Sequence, residues 1–403
     1  MKRYNKVTPD GTRDLLFEEC DARDEAVSRL TTMFKARGYR QVMTPAIEFY
    51  DAFGASGTYF PQENMYKLTD NHGRLLVMRP DCTIPIARLA ATRLKTLPMP
   101  LRLYYSQNVY RMGHDMRGKR DEIFQTGVEL IGSHSLRSDL EIMELAASGL
   151  SDLNGDSFRL EICHIGYFKA LIESLDTDDA TKEEIRKSVE QKNYASLNDL
   201  LQQFGSSKAA TALKYLPRLF GGEEVFEKAD QLFDQNGAKE SLDYLKSIYE
   251  NLCQLGLKDR VLIDLGLVNQ AEYYTGIIFR GYLDGIGEPV LSGGRYDNLI
   301  NDFGASLCAI GFAVTVDLVT EAIGTRNQKI ADALVFAEET YLPKSIRYMN
   351  GLIQNGMTVE NCVLDDFESA VEHARLCGIK QLHVVDDKVS IIDLENCKGR
   401  AVR

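Results

Sequence analysis

The chain has 403 residues, of which 44% are hydrophobic, so it can bury a full core and form two or three domains. No apolar run approaches the roughly 18 residues that span a bilayer, and the first residues lack the apolar centre of a signal peptide, so we expect a cytoplasmic protein. The net charge of −12 disfavours nucleic-acid binding, which depends on lysines and arginines at the phosphates.

The eight cysteines are scattered along the chain. They form no CxxC pair and no cluster with histidine at the spacing of metal ligands. The sequence therefore predicts neither a zinc site nor a disulfide framework, and we expect no metal and no cofactor.

The first predicted elements are an amphipathic helix and a short strand, in ARDEAVSRLTTMFKARGYRQVMTPAIEF. Gly38 is predicted to end the helix, and the strand carries Pro45. A hairpin around Asn71-His72-Gly73 and a helix that begins near Asp81 follow.

Two strands come next, LRLYYSQNVYR and IFQTGVELIG, separated by a polar loop. Strands and helices in this part of the chain do not alternate regularly. That pattern favours an antiparallel sheet flanked by helices, an α+β fold, over a doubly wound parallel sheet.

The remaining sequence divides into three parts. Residues 167–257 show helical patterns rich in Lys, Glu, Gln and Leu, which predicts a helical insertion. Strand patterns then return, so residues 1–166 and 258–323 are predicted to form one discontinuous domain. Residues 329–403 alternate strands and helices, which is typical of a small α/β domain. Eight Lys/Arg against twelve Asp/Glu after residue 330 make this domain a poor candidate for holding RNA.

The strand IFQTGVELIG carries candidate binding residues. Its period of two places Gln125, Gly127 and Glu129 on one face, with mainly apolar residues on the other. A gap at Gly127 is predicted to make room for a small ligand, and Gln125 and Glu129 offer acceptors to an ammonium group. The alternative interpretation is a solvated sheet face with two exposed polar residues.

Positive charge gathers beside this face. Arg111 ends the preceding strand, and the following loop contributes Arg117, Lys119 and Arg120. Such a loop can bind a phosphate or a carboxylate. The alternative is a charged loop that serves only solubility.

These segments together resemble the catalytic core of a class II aminoacyl-tRNA synthetase, specifically a histidyl-tRNA synthetase. The resemblance covers nearly the whole chain. The matching motifs, in order, are TPAIE, RPDCT, YYSQNVYR with IFQTGVELIG, EYYTG, SGGRYD and AIGFAVTVDL. The resemblance implies an amino-acid pocket formed by Asp81, Thr83, Arg111, Gln125, Glu129, Tyr273 and Tyr274.

Three departures from the synthetase pattern affect the handling of ATP. Asn269 stands where the second histidine loop has an arginine, and Leu318 stands where motif 3 has one. Gly113 replaces a motif 2 glutamate. Fixed positive charges normally stabilise the transition state of adenylate formation, so we expect no catalytic residues and negligible activity.

A synthetase-like chain with these losses resembles the regulatory subunits of ATP phosphoribosyltransferase, and RPDCTIPIARLAATRL matches their pattern. The resemblance implies a non-catalytic subunit in the first step of histidine biosynthesis. Its partner would be a short-form catalytic subunit, its effector histidine, and its assembly a homodimer within a larger hetero-oligomer.

The C-terminal domain resembles a shortened anticodon-binding domain, and its acidic balance argues against tRNA binding. The resemblance leaves open whether histidine binds in the ancestral pocket or at the subunit interface. Two alternatives for the whole chain are a histidyl-tRNA synthetase and another synthetase-like paralogue with a different partner or amino acid.

Overall fold

A computed structural model describes residues 4–53, 60–113, 120–268, 274–324 and 330–395. The chain divides into two compact units, Met1–Thr325 and Arg326–Arg403. The finer division of the first unit, into a discontinuous core and an insertion over residues 167–257, stays a prediction.

The first unit contains strands and helices in mixed order. Its strands are β1 (Arg40–Gln41), β2 (Ile47–Phe49), β3 (Lys67–Thr69), β4 (Leu75–Met78), β5 (Leu101–Tyr110), β6 (Glu122–Ile131), β7 (Phe158–His164), β8 (Phe220–Gly221), β9 (Val261–Asp264), β10 (Ile277–Leu283), β11 (Leu291–Arg295) and β12 (Ala309–Thr315). Its helices are α1 (Glu18–Ala36), α2 (Thr83–Thr92), α3 (Leu136–Asn154), α4 (Ile165–Glu173), α5 (Asp179–Glu190), α6 (Tyr194–Leu201), α7 (Lys208–Tyr215), α8 (Glu224–Leu232), α9 (Ala238–Leu252) and α10 (Val316–Ile323).

A nine-stranded sheet organises this unit, in the order β1-β5-β6-β12-β11-β10-β7-β9-β8. The run from β5 to β7 is antiparallel throughout, as predicted. Two outer pairs, β1 with β5 and β7 with β9, are parallel. A separate antiparallel sheet joins β2, β4 and β3, and its β3–β4 turn is the predicted hairpin.

Helices α1 and α3 pack on one face of the large sheet. Leu30 and Phe34 of α1, together with Ile142 and Ala146 of α3, share one buried apolar cluster with Val128 of β6. The helix α1 ends where the sequence predicts, because Gly38 follows it with a φ of 81°, a conformation that glycine adopts without strain. The opposite face of the sheet packs in part against α2, since Ile84 and Ile86 share a second buried cluster with Leu103 of β5.

The second unit is a small α/β domain. Its elements are β13 (Ala333–Phe336), α11 (Leu342–Gln354), β14 (Val359–Asn361), α12 (Phe367–Leu376), β15 (Gln381–Val385) and β16 (Val389–Asp393). The strand order is β14-β13-β15-β16, and only β15 and β16 pair antiparallel, as the predicted terminal hairpin.

Candidate functional site: a ligand pocket on the large sheet

A cavity of about 860 Å³ lies on the sheet face that α1 and α3 leave uncovered. Six of the seven residues predicted to form an amino-acid pocket line it, and the seventh, Tyr273, lies outside the described residues. The six are Asp81, Thr83, Arg111, Gln125, Glu129 and Tyr274. The structure thus brings together residues that are up to 193 positions apart in the sequence.

Local structure places each of these side chains. Side chains alternate between the two faces of the sheet along β6, so Gln125 and Glu129 both line the cavity. Both are buried, with exposed fractions of 6% and 1%. The interpretation of two solvated polar residues is therefore wrong. Arg111 directly follows β5. Asp81 lies two residues before the start of α2, and its Oδ1 accepts a hydrogen bond from Ile84 N at 2.9 Å.

One end of the cavity, which we call the inner end, is formed by Asp81, Thr83, Glu129 and Tyr296. Glu129 lies at its centre. Its Oε1 accepts a hydrogen bond from Thr83 Oγ1 at 2.8 Å, and its Oε2 accepts one from the hydroxyl of Tyr296. Burial raises the pKa of Glu129 to about 8, although these two donors act in the opposite direction. Glu129 is therefore poised to ionise when a cationic ligand group arrives.

Asp81 supplies a second carboxyl to the inner end, and Arg111 the nearby cation. Burial raises the pKa of Asp81, and the positive charge of Arg111 opposes that rise. Arg111 Nε donates to the carbonyl of Pro80 at 2.8 Å, and its guanidinium lies 5.6 Å from the ring centre of Phe60. Two carboxyls and one guanidinium suit a zwitterion such as an amino acid, whose ammonium and carboxylate find opposite partners.

The gap predicted at Gly127 is filled by the protein itself. A Cβ at Gly127 would lie 2.6 Å from the hydroxyl of Tyr105, the residue opposite it on β5. The prediction that this glycine makes room for a ligand is wrong, because a neighbouring strand supplies a large side chain to the same face.

Sequence reasoning missed two residues of the inner end. Tyr296 is 2% exposed and binds Glu129, and Gly311 lies opposite Glu129 on β12. The motif SGGRYD contains Tyr296, so its tyrosine was the available signal. Gly311 lies in the motif AIGFAVTVDL, but its position beside Glu129 depends on strand register.

Gly311 leaves room for the carboxyl of Glu129. A Cβ there would lie 1.9 Å from Glu129 Oε2 and 2.3 Å from the carbonyl of Val128. We expect Gly311→Ala to lower the free energy of unfolding by about 1–3 kcal/mol in urea titrations. Gly351→Ala in α11 is the matched control, because no atom beyond its chain neighbours and the nearby backbone of its own helix lies within 4 Å of the added methyl, and it should be neutral or slightly stabilising.

The raised pKa of Glu129 predicts a pH dependence of stability. The folded state holds this proton more tightly than the unfolded chain, whose ordinary value is 4.5. The protonated carboxyl therefore stabilises the fold fully below that value, and this contribution is lost as the pH rises through about 8. We expect the difference in unfolding free energy between the wild type and Glu129→Gln to fall by several kcal/mol from about pH 4 to pH 9. A difference that stays constant across urea titrations in this range would contradict the assignment.

Arg120 and Arg280 line the cavity in addition to Arg111. Arg120 forms ion pairs with Asp317 at 3.1 Å and with Glu321, both on α10. Leu318 and Gly113, two of the departures from the synthetase pattern, line the same cavity. Two cations of the predicted charged loop, Arg117 and Lys119, lie outside the described residues. Asn269, the third departure from the synthetase pattern, does so as well.

The parts of the chain with described coordinates contain neither a metal-binding cluster nor a membrane-spanning helix. No group of three or more His, Cys, Asp or Glu residues there is arranged to hold a metal ion. In the same residues, no helix has the length and apolar character needed to cross a membrane.

Known proteins with similar sequences decide the family. A family model described as Histidyl-tRNA synthetase matches residues 11–319. An "ATP phosphoribosyltransferase regulatory subunit" from Clostridium botulinum (strain Langeland) is 36% identical over 99% of this chain and 96% of its own length. A protein of the same name from Clostridium kluyveri is 38% identical over 95% of this chain and its full length. The chain belongs to the family of ATP phosphoribosyltransferase regulatory subunits. Its place in histidine biosynthesis follows from that family.

Solved structures confirm the predicted fold for this regulatory-subunit chain. A crystal structure of "an ATP phosphoribosyltransferase regulatory subunit/histidyl-tRNA synthetase" from Bacillus halodurans has a TM-score of 0.83 and 32% identity, covering 92% of this chain and 97% of its own. A histidyl-tRNA synthetase from Nostoc has a TM-score of 0.80 at 19% identity, covering 98% and 96%, and shows the fold alone. The class II synthetase-like core is thus established.

Proposed function

We propose that this chain is a non-catalytic subunit that assembles with a short-form catalytic subunit of ATP phosphoribosyltransferase. By binding histidine, it makes the activity of that catalytic subunit sensitive to histidine. The single observation that carries the proposal is the asymmetry of the cavity. Its inner end keeps buried carboxyls at Asp81 and Glu129, whereas at its outer end Arg120 is paired with acidic side chains. We place this function in the cytoplasm.

The inner end suits histidine in particular. The α-ammonium group can replace the proton that Glu129 holds, while Arg111 is a partner for the carboxylate. Tyr274 and Tyr296 border the same space, and aromatic rings and hydroxyls pack against and hydrogen-bond an imidazole. A ligand that prefers one assembly state of the complex shifts the equilibrium toward that state, which is the physical basis of feedback inhibition.

The outer end argues against adenylate formation. A transferring phosphoryl group needs fixed positive charges, and removing one typically costs roughly 3–4 kcal/mol of transition-state stabilisation. Leu318 supplies no charge, and the guanidinium of Arg120 is held by Asp317 and Glu321. Arg120 is therefore less available to stabilise the charge of a transferring phosphoryl group.

Mixing the two subunits tests the proposal. The purified chain should show no histidine-dependent exchange of pyrophosphate into ATP, and it should restore activity to a short-form phosphoribosyltransferase that is inactive alone. Histidine should then inhibit the mixture. Robust pyrophosphate exchange by the isolated chain would instead support the alternative, a histidyl-tRNA synthetase.

We propose that the chain forms a homodimer within the larger complex. Met43, Ile47 and Phe49 are large apolar residues with exposed fractions of 74%, 49% and 48%, and they lie on or beside the edge strand β2. Exposed apolar groups of this kind mark protein interfaces when they cluster. Light scattering of the isolated chain should give twice the mass of one chain, and a monomer at micromolar concentration would contradict the proposal.

A further inference from the structure

Arg79 is a buried cation that donates to backbone carbonyls. It is 4% exposed, and its Nε donates to the carbonyl of Asn108 and its Nη1 to that of Thr44, both at 2.7 Å. In the part of the chain that the structure describes, no carboxylate forms an ion pair with it. Burial of a guanidinium without a counter-charge is costly, so the carbonyls that satisfy it are held firmly in place.

The backbone of Arg79 joins the same segments. Its N–H donates to the carbonyl of Ala46, and its own carbonyl accepts from the N–H of Tyr110, both at 2.9 Å. One residue therefore links the segment before β2, the end of β5 and the loop that follows β4. Side chain and backbone act together, which fixes the loop in two directions.

The loop after Arg79 carries the inner end of the pocket. The carbonyl of Pro80 accepts from Arg111 Nε at 2.8 Å, and Asp81 follows directly. The position of this loop therefore sets the direction of the Arg111 guanidinium and the position of the Asp81 carboxyl. If the Arg111 guanidinium or the Asp81 carboxyl moves on ligand binding, only one or two peptide units separate the displaced backbone from Arg79.

The other end of the link is an exposed segment, residues 43–49. The carbonyl of Thr44 accepts from Arg79 and also from Gln107 Nε2, each at 2.7 Å. Gln107 lies opposite Gln125 of the pocket in the β5–β6 register. The exposed apolar residues Met43 and Ile47 stand on either side of this anchored carbonyl. The inner side of the segment is thus held by Arg79 and Gln107, which neighbour pocket residues along the chain or across the sheet.

We propose that Arg79 is a positioning residue that couples the pocket to the exposed segment 43–49. Its planar guanidinium binds two carbonyls at fixed angles, so a displacement of the loop at Pro80 and Asp81 moves the carbonyl of Thr44. Lysine cannot reproduce this geometry, because its single ammonium nitrogen lacks the planar fork. The coupling rests on the proposed histidine sensing for its biological purpose, but its test requires no histidine.

The test is a double-mutant cycle in which the measured quantity is the hydrogen-exchange rate of the backbone amides in residues 43–49. The proteins are the wild-type full chain, Arg111→Gln, Arg79→Lys and the double variant. Arg111→Gln frees the carbonyl of Pro80, and we expect it to speed exchange in the segment by about tenfold. In the Arg79→Lys background the same substitution should change exchange by less than about twofold. Arg102→Lys, an arginine on the helix-covered side that pairs with Glu141, is the control and should preserve the tenfold effect.

Equal effects of Arg111→Gln in both backgrounds would overturn the proposal, because a purely structural arginine gives additive changes. If Arg79→Lys does not fold, the single variant Arg111→Gln still decides, since unchanged exchange in residues 43–49 would overturn the coupling. Histidine binding by the wild type is measured separately by calorimetry. Its absence would overturn the sensing role and leave the coupling through Arg79 unaffected.

Discussion

Replacing Arg295 with methionine is expected to lower the free energy of unfolding by about 3–5 kcal/mol. Arg295 is buried on β11, and its Nε donates to Asp139 Oδ1 at 2.9 Å while its Nη1 donates to Asp297 at 2.9 Å. Asp139 is 0% exposed and also accepts from the hydroxyl of Tyr244 at 2.7 Å. Methionine fills a similar volume but leaves the carboxylate of Asp139 buried without its cation. Urea unfolding measures the loss.

Arg102→Met is the matched control for this prediction. Arg102 makes a bidentate contact with Glu141, at 2.8 and 2.7 Å, but its side chain is 35% exposed. Water can therefore solvate the carboxylate that remains, and the loss should stay near 1 kcal/mol or below. Equal losses for the two variants would show that burial does not control the strength of these ion pairs.

Glu129→Gln is expected to weaken histidine binding by about 100-fold, since loss of one partner in a buried charge pair costs roughly 2–5 kcal/mol. The substitution keeps the shape of the side chain and its contact with Thr83, so the change isolates the negative charge. Isothermal titration calorimetry at constant pH measures the affinity. In the wild type, binding should also release a proton, because burial raises the pKa of Glu129 to about 8 and the ammonium group favours its ionised form.

The control for this variant is Glu321→Gln at the outer end of the same cavity. Glu321 pairs with Arg120 and its side chain is 48% exposed, so histidine affinity should change by less than about twofold. Wild-type affinity in Glu129→Gln would show that histidine binds elsewhere, for instance at the interface between subunits. A loss in both variants would point to a general change of the cavity.

Most of the secondary structure was predictable because each signal is local. The end of α1 at Gly38, the β3–β4 hairpin and the period-two alternation of β6 depend on residues within a few positions of one another. The two parallel outer pairs of the large sheet were not predicted. Pairing between β1 and β5 brings together Arg40 and Leu103, and no local pattern encodes such a contact.

The candidate site shows the same division. The sequence by itself determined which residue types are available: two carboxyls at Asp81 and Glu129, an arginine at 111, and a leucine at 318. Only the tertiary structure decided how they act. It buried Glu129 and thereby raised the pKa of its carboxyl, whereas the hydrogen bond from Tyr296, 167 positions away, opposes that rise. It also filled the space at Gly127 with Tyr105 and paired Arg120 with α10. Desolvation and charge pairing depend on what lies nearby in space, and strand register, which no single segment contains, sets those neighbours.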